Sequence, residues 1–235
     1  MRKVDDATPR GMDQFRVREW CSFIVRQPDP PCMPGTQESL EQTLARSVPL
    51  EATLGQSYVE RRAIPIEVAH AAGARFAADF GGRPAVVQPL YDYENRLVSL
   101  HARYPEFGRG QDKMFTIGPG GGTVNTLGGW RVDPLVVVEG LFDALSLAAC
   151  GWASVATIGR WLPWLREVGA GRTVWLALDA GRAGEKEATR YAVHLRQSNV
   201  RRMLPPNRDK DWNTALVKRG RTAVAHWVER QLSSS

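Results

Sequence analysis

From residue 134 the sequence alternates strictly between apolar runs and helix-forming stretches, and this alternation limits the fold more than any other feature. The order is PLVVVEG, LFDALSLAAC, ASVATIG, WLPWLREV, RTVWLALD, EKEATRYAVHLRQ and NVRRMLPP. Strands that are apolar along their whole length need cover on both faces, and right-handed helical crossovers between parallel strands supply it. The expected architecture is α/β, a parallel sheet flanked by helices, whose strand carboxyl ends define a single crevice.

Upstream the periodicity differs. Over 85–117 the runs AVVQPLYDY, RLVSLHARY and KMFTI are β-rich and separated by Glu94-Asn95 and Gly108-Arg109-Gly110, which predicts a small antiparallel sheet. From 39 to 80 the pattern is helical, including SLEQTLARS and, after Pro65, IEVAHAAGARFA. The GPGGG at 118–122 has no Lys-Ser or Lys-Thr after it and no helix pattern, so it reads as a flexible connector, not a phosphate loop. Over 13–27, Phe15, Val17, Trp20, Phe23 and Ile24 recur at helical spacing, and PDPPCMPG ends that segment. That helix packs on its own domain or docks on a partner. The organisation expected is an N-terminal helix and linker over 1–38, a smaller α+β subdomain over 39–133 and the α/β part with C-terminal helices over 134–235.

Acidic residues collect where the crevice is expected. The run VVV ends at Glu139, Asp143 follows one helical turn later, VWLAL ends at Asp179, and the loop NRDKDWN carries Asp209, Asp211 and Asn213. One Asp at a strand end is often a helix cap. Acids from several strand ends repel one another unless a cation neutralises them. All-oxygen ligands suit a hard ion, Mg²⁺ or Mn²⁺, which keeps waters and bridges to substrate phosphates.

Composition narrows the setting. The 31 Lys and Arg against 25 Asp and Glu leave +6, a balance that favours polyanionic partners. Three scattered cysteines, Cys21, Cys32 and Cys150, form neither a disulfide framework nor a CxxC zinc module. No run of about 18 apolar residues occurs, and acids interrupt the amino terminus before a secretory h-region. A cytoplasmic protein with no membrane partner is expected. His70, His101, His194 and His226 share no spacing and read as structural or surface residues, and Trp130, Trp161, Trp164 and Trp175 as packing residues.

In order, VEGLFDALSL, VATIG, LALDAGRAGEKEA and DKDWNTAL resemble the motifs of the Toprim domain in the form found in bacterial, phage and plasmid DNA primases. Upstream, RLVSLHARY followed by DKMFT is similar to the part of the primase catalytic core that precedes its Toprim part, so the likeness spans roughly 57–218. It implies a Toprim-type parallel sheet with a smaller, basic amino-terminal subdomain, a nucleotidyltransferase in DNA replication that makes RNA primers. Its partners would be a single-stranded DNA template and nucleoside triphosphates, with a helicase or other replication protein as a further partner. By motif position, Glu139 and Asp179 would be catalytic, and Glu139, Asp143, Asp179 and Asp211 would hold Mg²⁺ or Mn²⁺. Arg96, Arg103, Lys113, Gly159 and Asn213 would face template or nucleotide. The zinc module and helicase-contacting domain that replicative primases carry are not matched, so the chain resembles a standalone or mobile-element version or a piece of a larger system.

One position departs from the family. Its strand-end motif is Asp-x-Asp-x-x-Gly, and this chain keeps Asp179 and Gly184 but has Gly181 at the second acid. A millimolar metal site is worth only about 4 kcal/mol, so the loss of one ligand is a large fraction of it. Glu185, Asp209 and Asp211 are the candidate replacements. Two alternatives to primer synthesis follow: a catalytically weak or inactive Toprim module that binds nucleic acid or nucleotide, and a metal-dependent Toprim nuclease. The topoisomerase reaction is excluded for want of a strand-passage domain carrying a nucleophilic tyrosine.

Overall fold

The computed structural model describes residues 37–233, so the helix and linker expected over 13–35 lie outside the described residues. Three short helices come first: α1 (Gln37–Arg46), α2 (Leu54–Glu60) and α3 (Ile66–Ala71). Thr53 caps α2, its Oγ1 accepting from the Gly55 N–H at 3.0 Å. The segment ARFA, expected to continue a helix, instead contains β1 (Arg75–Ala77). Phe76 exchanges two 2.8 Å backbone hydrogen bonds with Val48 and pairs with Val86, and these distant partners decide its conformation.

The antiparallel sheet has the order β1-β2-β3-β4, with β2 (Ala85–Tyr91), β3 (Leu97–Arg103) and β4 (Met114–Ile117). Register places Arg103 opposite both Val86 and Met114, at the end of β3 far from the β2–β3 turn. The glycines at 118–122 run against this sheet and not free of it. Gly120 N–H donates to Ser99 Oγ at 2.9 Å, and the Gly121 carbonyl accepts from Trp164 Nε1 at 3.1 Å.

The second sheet has the order β5-β7-β6-β8-β9, comprising β5 (Val124–Thr126), β6 (Leu135–Val138), β7 (Ser154–Ala156), β8 (Thr173–Leu176) and β9 (Asn199–Arg202). The last four are mutually parallel and β5 is antiparallel. β5 therefore joins this sheet although it precedes the expected boundary at 133. The helices are α4 (Leu141–Ala149), α5 (Leu165–Gly169), α6 (Arg182–His194) and α7 (Trp212–Ser233).

Alternate residues along each strand pack on opposite layers, as the period of two requires. Val136, Val138 and Trp175 belong to one core with Leu145 and Leu147 of α4 and Trp212, Val224 and Val228 of α7. Leu135, Val137, Val174 and Leu176 belong to another with Ala188 and Tyr191 of α6. The sheet is thus covered on both faces. The turn after α2 is tied to α7 and α4 across a long sequence separation. Arg62 Nη1 donates to Asn213 Oδ1 at 3.0 Å, the Asn213 amide returns to the Arg62 carbonyl at 2.9 Å, and the Arg62 guanidinium lies 4.0 Å from the Phe142 ring centre.

Candidate functional site

β6 and β8 are hydrogen-bonded neighbours, Val137 opposite Leu176, and both run toward the same rim. Glu139 follows the end of β6, and Asp179 lies three residues past the end of β8. The turn after β7 closes on them, with Gly159 N–H donating to the Glu139 carbonyl at 3.1 Å. Glu139, Asp143, Asp179 and Gly159 line one cleft of about 180 Å³, and His101, Arg103 and Met114 of the antiparallel sheet form its other wall. Two larger cavities, of 350 and 390 Å³, flank the antiparallel sheet and contain none of these acids.

The carboxylates are under electrostatic stress. Burial, then Glu139 and Asp211, pushes the Asp179 carboxyl up to about 6 against the pull of Lys210 and Arg202. Glu139 is also raised, first by burial and then by Glu187, with Lys210 opposing. Neither carboxylate has a hydrogen bond or ion pair among the described residues. Burial pushes His101 down to about 4, so its ring faces the cleft neutral, with Nδ1 2.9 Å from Thr116 Oγ1.

Asp143 is differently employed. Its Oδ2 accepts from Gly140 N–H at 3.2 Å, and its Oδ1 accepts from Trp212 N–H at 3.0 Å and Asn213 N–H at 3.4 Å. One carboxylate thereby caps α4 and the start of α7, where helix dipoles favour negative charge. Burial, reinforced by Asp179 and Asp211, outweighs those N–H groups and pushes it up to about 7. Asp211 caps α7 too, its Oδ1 accepting from Thr214 N–H at 2.6 Å.

The turn after Asp179 explains both glycines. Gly184 is irreplaceable by contact, since a β-carbon there would fall 1.9 Å from the Asp179 carbonyl oxygen. Gly181 is needed for its backbone, at φ 101° and ψ 179°, a region open essentially to glycine alone, although the space around it is empty. Glu185, a candidate replacement for the missing acid, is committed to Arg202 at 3.0 Å. Asp209, another, is held by Lys218 and Arg219.

Arg202 is a residue that pattern reading missed. Its guanidinium donates to the carbonyls of Leu176, Leu178 and Met203 through Nη1 and of Asp179 through Nη2, all within 2.9 Å. It pins the carboxyl end of β8 and hence the position of Asp179. The available signal was a paired arginine in NVRRM, where the neighbouring strands are apolar.

The cleft gathers Glu139, Asp143, Asp179, Gly159 and Arg103 of the residues picked out by sequence. Lys113 stands nearby, its carbonyl accepting from Tyr104 N–H at 3.2 Å and its ammonium 5.4 Å from the Phe107 ring centre. Arg96 is elsewhere. It sits at the β2–β3 turn paired to Asp92 and Glu94, about 23 Å from Arg103 by strand rise. The Asn213 side chain is buried and spent on Arg62 and Ser146 instead of facing a ligand. The 39–133 segment, expected to be basic, holds ten Lys and Arg and ten Asp and Glu.

Among the described residues no three His, Cys, Asp or Glu side chains are grouped as a metal-holding cluster. What fits an ion is narrower: two open, half-buried carboxylates that repel each other. That donor set suits a hard divalent cation that retains waters and completes its shell with substrate phosphates.

Comparison with known proteins agrees with this geometry. Residues 134–222 match the Toprim domain family. The chain is 16% identical to the Aquifex aeolicus primase (zinc-binding and RNA polymerase domains), covering 83% of this chain and 62% of that one, with a TM-score of 0.63. Against a DnaG primase catalytic domain bound to single-stranded DNA the values are 19%, 83%, 78% and 0.63. Against the primase fragment of the bacteriophage T7 primase-helicase they are 22%, 72%, 72% and 0.53. The chain therefore has the fold of primase catalytic cores and spans less than two thirds of the Aquifex chain. No curated protein matches it in sequence. No helix among the described residues is long and apolar enough to cross a membrane.

Proposed function

We propose that this chain, with a Toprim domain and the fold of primase catalytic cores, is a nucleotidyltransferase that joins ribonucleotides on a single-stranded DNA template. The observation that carries the reading is that Glu139 and Asp179 line one cleft opposite Arg103, with neither carboxylate in a hydrogen bond or ion pair among the described residues. Glu139 and Asp179 would hold a divalent ion, Mg²⁺ or Mn²⁺. Bound there, such an ion supplies charge stabilisation to the transferring phosphoryl group and the departing pyrophosphate. Arg103 presents its guanidinium to phosphate oxygens from the opposite wall. Asp143 keeps the first turns of α4 and α7 in place beneath the cleft, and Arg202 keeps Asp179 at its rim. The neutral His101 lies on the far wall beside Arg103 and Met114.

The test is primer synthesis on single-stranded DNA with Mg²⁺ or Mn²⁺. Glu139→Gln and Asp179→Asn are each expected to lower the rate by about a hundredfold or more, the scale of losing one electrostatic stabiliser. A robust rate unaffected by both substitutions removes the reading. A second reading, a binding module with little or no catalysis, is favoured by Gly181, where the backbone excludes the acid that the family motif carries. It predicts nucleic-acid binding without synthesis.

A further inference from the structure

The chain's net charge is concentrated in one place. Residues 1–195 hold 22 Lys and Arg against 22 Asp and Glu, whereas 196–235 hold nine against three, the whole of the excess of six. The fold draws much of this charge around one buried acid. Asp209 accepts from Lys218 Nζ at 3.2 Å and from Arg219 Nε at 2.6 Å, which docks the 205–211 loop onto α7 just before its break at Gly220. Arg208 and Lys210 flank Asp209, and Arg221 follows the break. All three are exposed, and their side chains have no hydrogen bond or ion pair among the described residues. Asp209 thus engages Lys218 and Arg219, and Arg208, Lys210 and Arg221 stand exposed within two residues of these three. The surface reaches the acidic cleft, because the Lys210 carbonyl accepts at 2.8 Å from the N–H of Ala180, the residue after Asp179. From Trp212 to Arg219 it extends about 10 Å along the helix axis.

We infer that the knuckle formed by Arg208, Lys210, Lys218, Arg219 and Arg221 binds the phosphodiester backbone of a single-stranded nucleic acid beside the acidic cleft. The bare carboxylates of Glu139 and Asp179 repel a polyanion, so cations outside the cleft add to the attraction that Arg103 supplies within it. The exposed side chains of Arg208, Lys210 and Arg221, with no hydrogen bond or ion pair among the described residues, supply sequence-independent attraction of this kind. The inference rests on the proposed function only for the presence of a strand; the charge distribution stands without the chemistry.

The experiment is fluorescence anisotropy of a labelled oligo-dT over a salt series, with the full chain and the double variant Arg208→Gln/Arg221→Gln. Lys218 and Arg219 are left intact because they hold Asp209. Each phosphate contact on a single strand contributes about 0.7 to the slope of log affinity against log salt, so the double variant should lose about 1.4. An unaltered slope and affinity in the double variant, with an unaltered melting temperature, overturns the inference, as does a parent that fails to bind the oligonucleotide. Displacement by poly-glutamate but not by unlabelled oligo-dT would assign the surface to an acidic protein and also overturn it. Loss of slope without any primer synthesis would leave this surface standing and remove the proposed function alone.

Discussion

A β-carbon on Gly184 would lie 1.9 Å from the carbonyl oxygen of Asp179, so the first turn of α6 can close over the end of β8 only because residue 184 has no side chain. The clash is with backbone and is not relieved by a rotamer change. Gly184→Ala is expected to destabilise the protein by about 3 kcal/mol, the upper range for overpacking, and to shift Asp179 with it. Urea unfolding measures the first effect. An unchanged midpoint would mean that the turn is looser than described.

Gly181 makes the opposite case, since the space beside it is open and only the backbone is demanding. Gly181→Ala and Gly181→Asp should therefore lose similar stability, about 1–3 kcal/mol, through strain at positive φ. The added carboxylate should not increase the affinity for Mn²⁺. If the Asp variant melts with the parent while the Ala variant does not, the strain argument fails.

Much of the architecture was legible because it rests on local pattern. The apolar runs of β6, β7 and β8 and the β-rich runs of β2 and β3 are properties of short windows. β1 was misread as helix because Phe76 is decided by Val48 and Val86, and β5 is too short to carry a period. Glu139 and Asp179 could be found from sequence since each follows a buried strand. The employment of Asp143 in two helix caps, of Asn213 on Arg62 and of Arg96 on Asp92 depends on contacts that no spacing encodes.

Arg202 follows from the same reasoning. Arg202→Ala leaves the carbonyls of Leu176, Leu178, Met203 and Asp179 without that donor and Glu185 without its partner. A loss of about 3 kcal/mol is expected, on the scale of about 1–3 kcal/mol for each buried group left unsatisfied. Arg202→Lys should recover only part of it, because one ammonium cannot span the fork. Thermal melting of the two variants decides this, and full recovery by Lys would contradict the assignment.

The raised carboxyl of Asp179 has a signed consequence for pH. With its folded value at about 6 and the ordinary value near 4, the folded state binds more protons between them, so this group's favourable contribution is present at low pH and is lost as pH rises through 6. Raising the carboxyl from near 4 to about 6 corresponds to about 2.7 kcal/mol at full strength, and half-exposure leaves about 1 kcal/mol after screening. In metal-free buffer at pH 8, Asp179→Asn is expected to be more stable than the parent by about that amount, the difference vanishing near pH 4. Differential scanning calorimetry across this range would show the trend, and a less stable variant at pH 8 would contradict it.

The central claim is that Glu139 and Asp179 hold one divalent ion jointly. Calorimetric or electron-paramagnetic titration of the full chain with Mn²⁺ at pH 7.5 tests it without any need for activity. The account predicts one site per chain, weakened about tenfold or more by either Glu139→Gln or Asp179→Asn, and no further weakening when the two are combined beyond the loss of the shared site. Equal binding in parent and both single variants would contradict it.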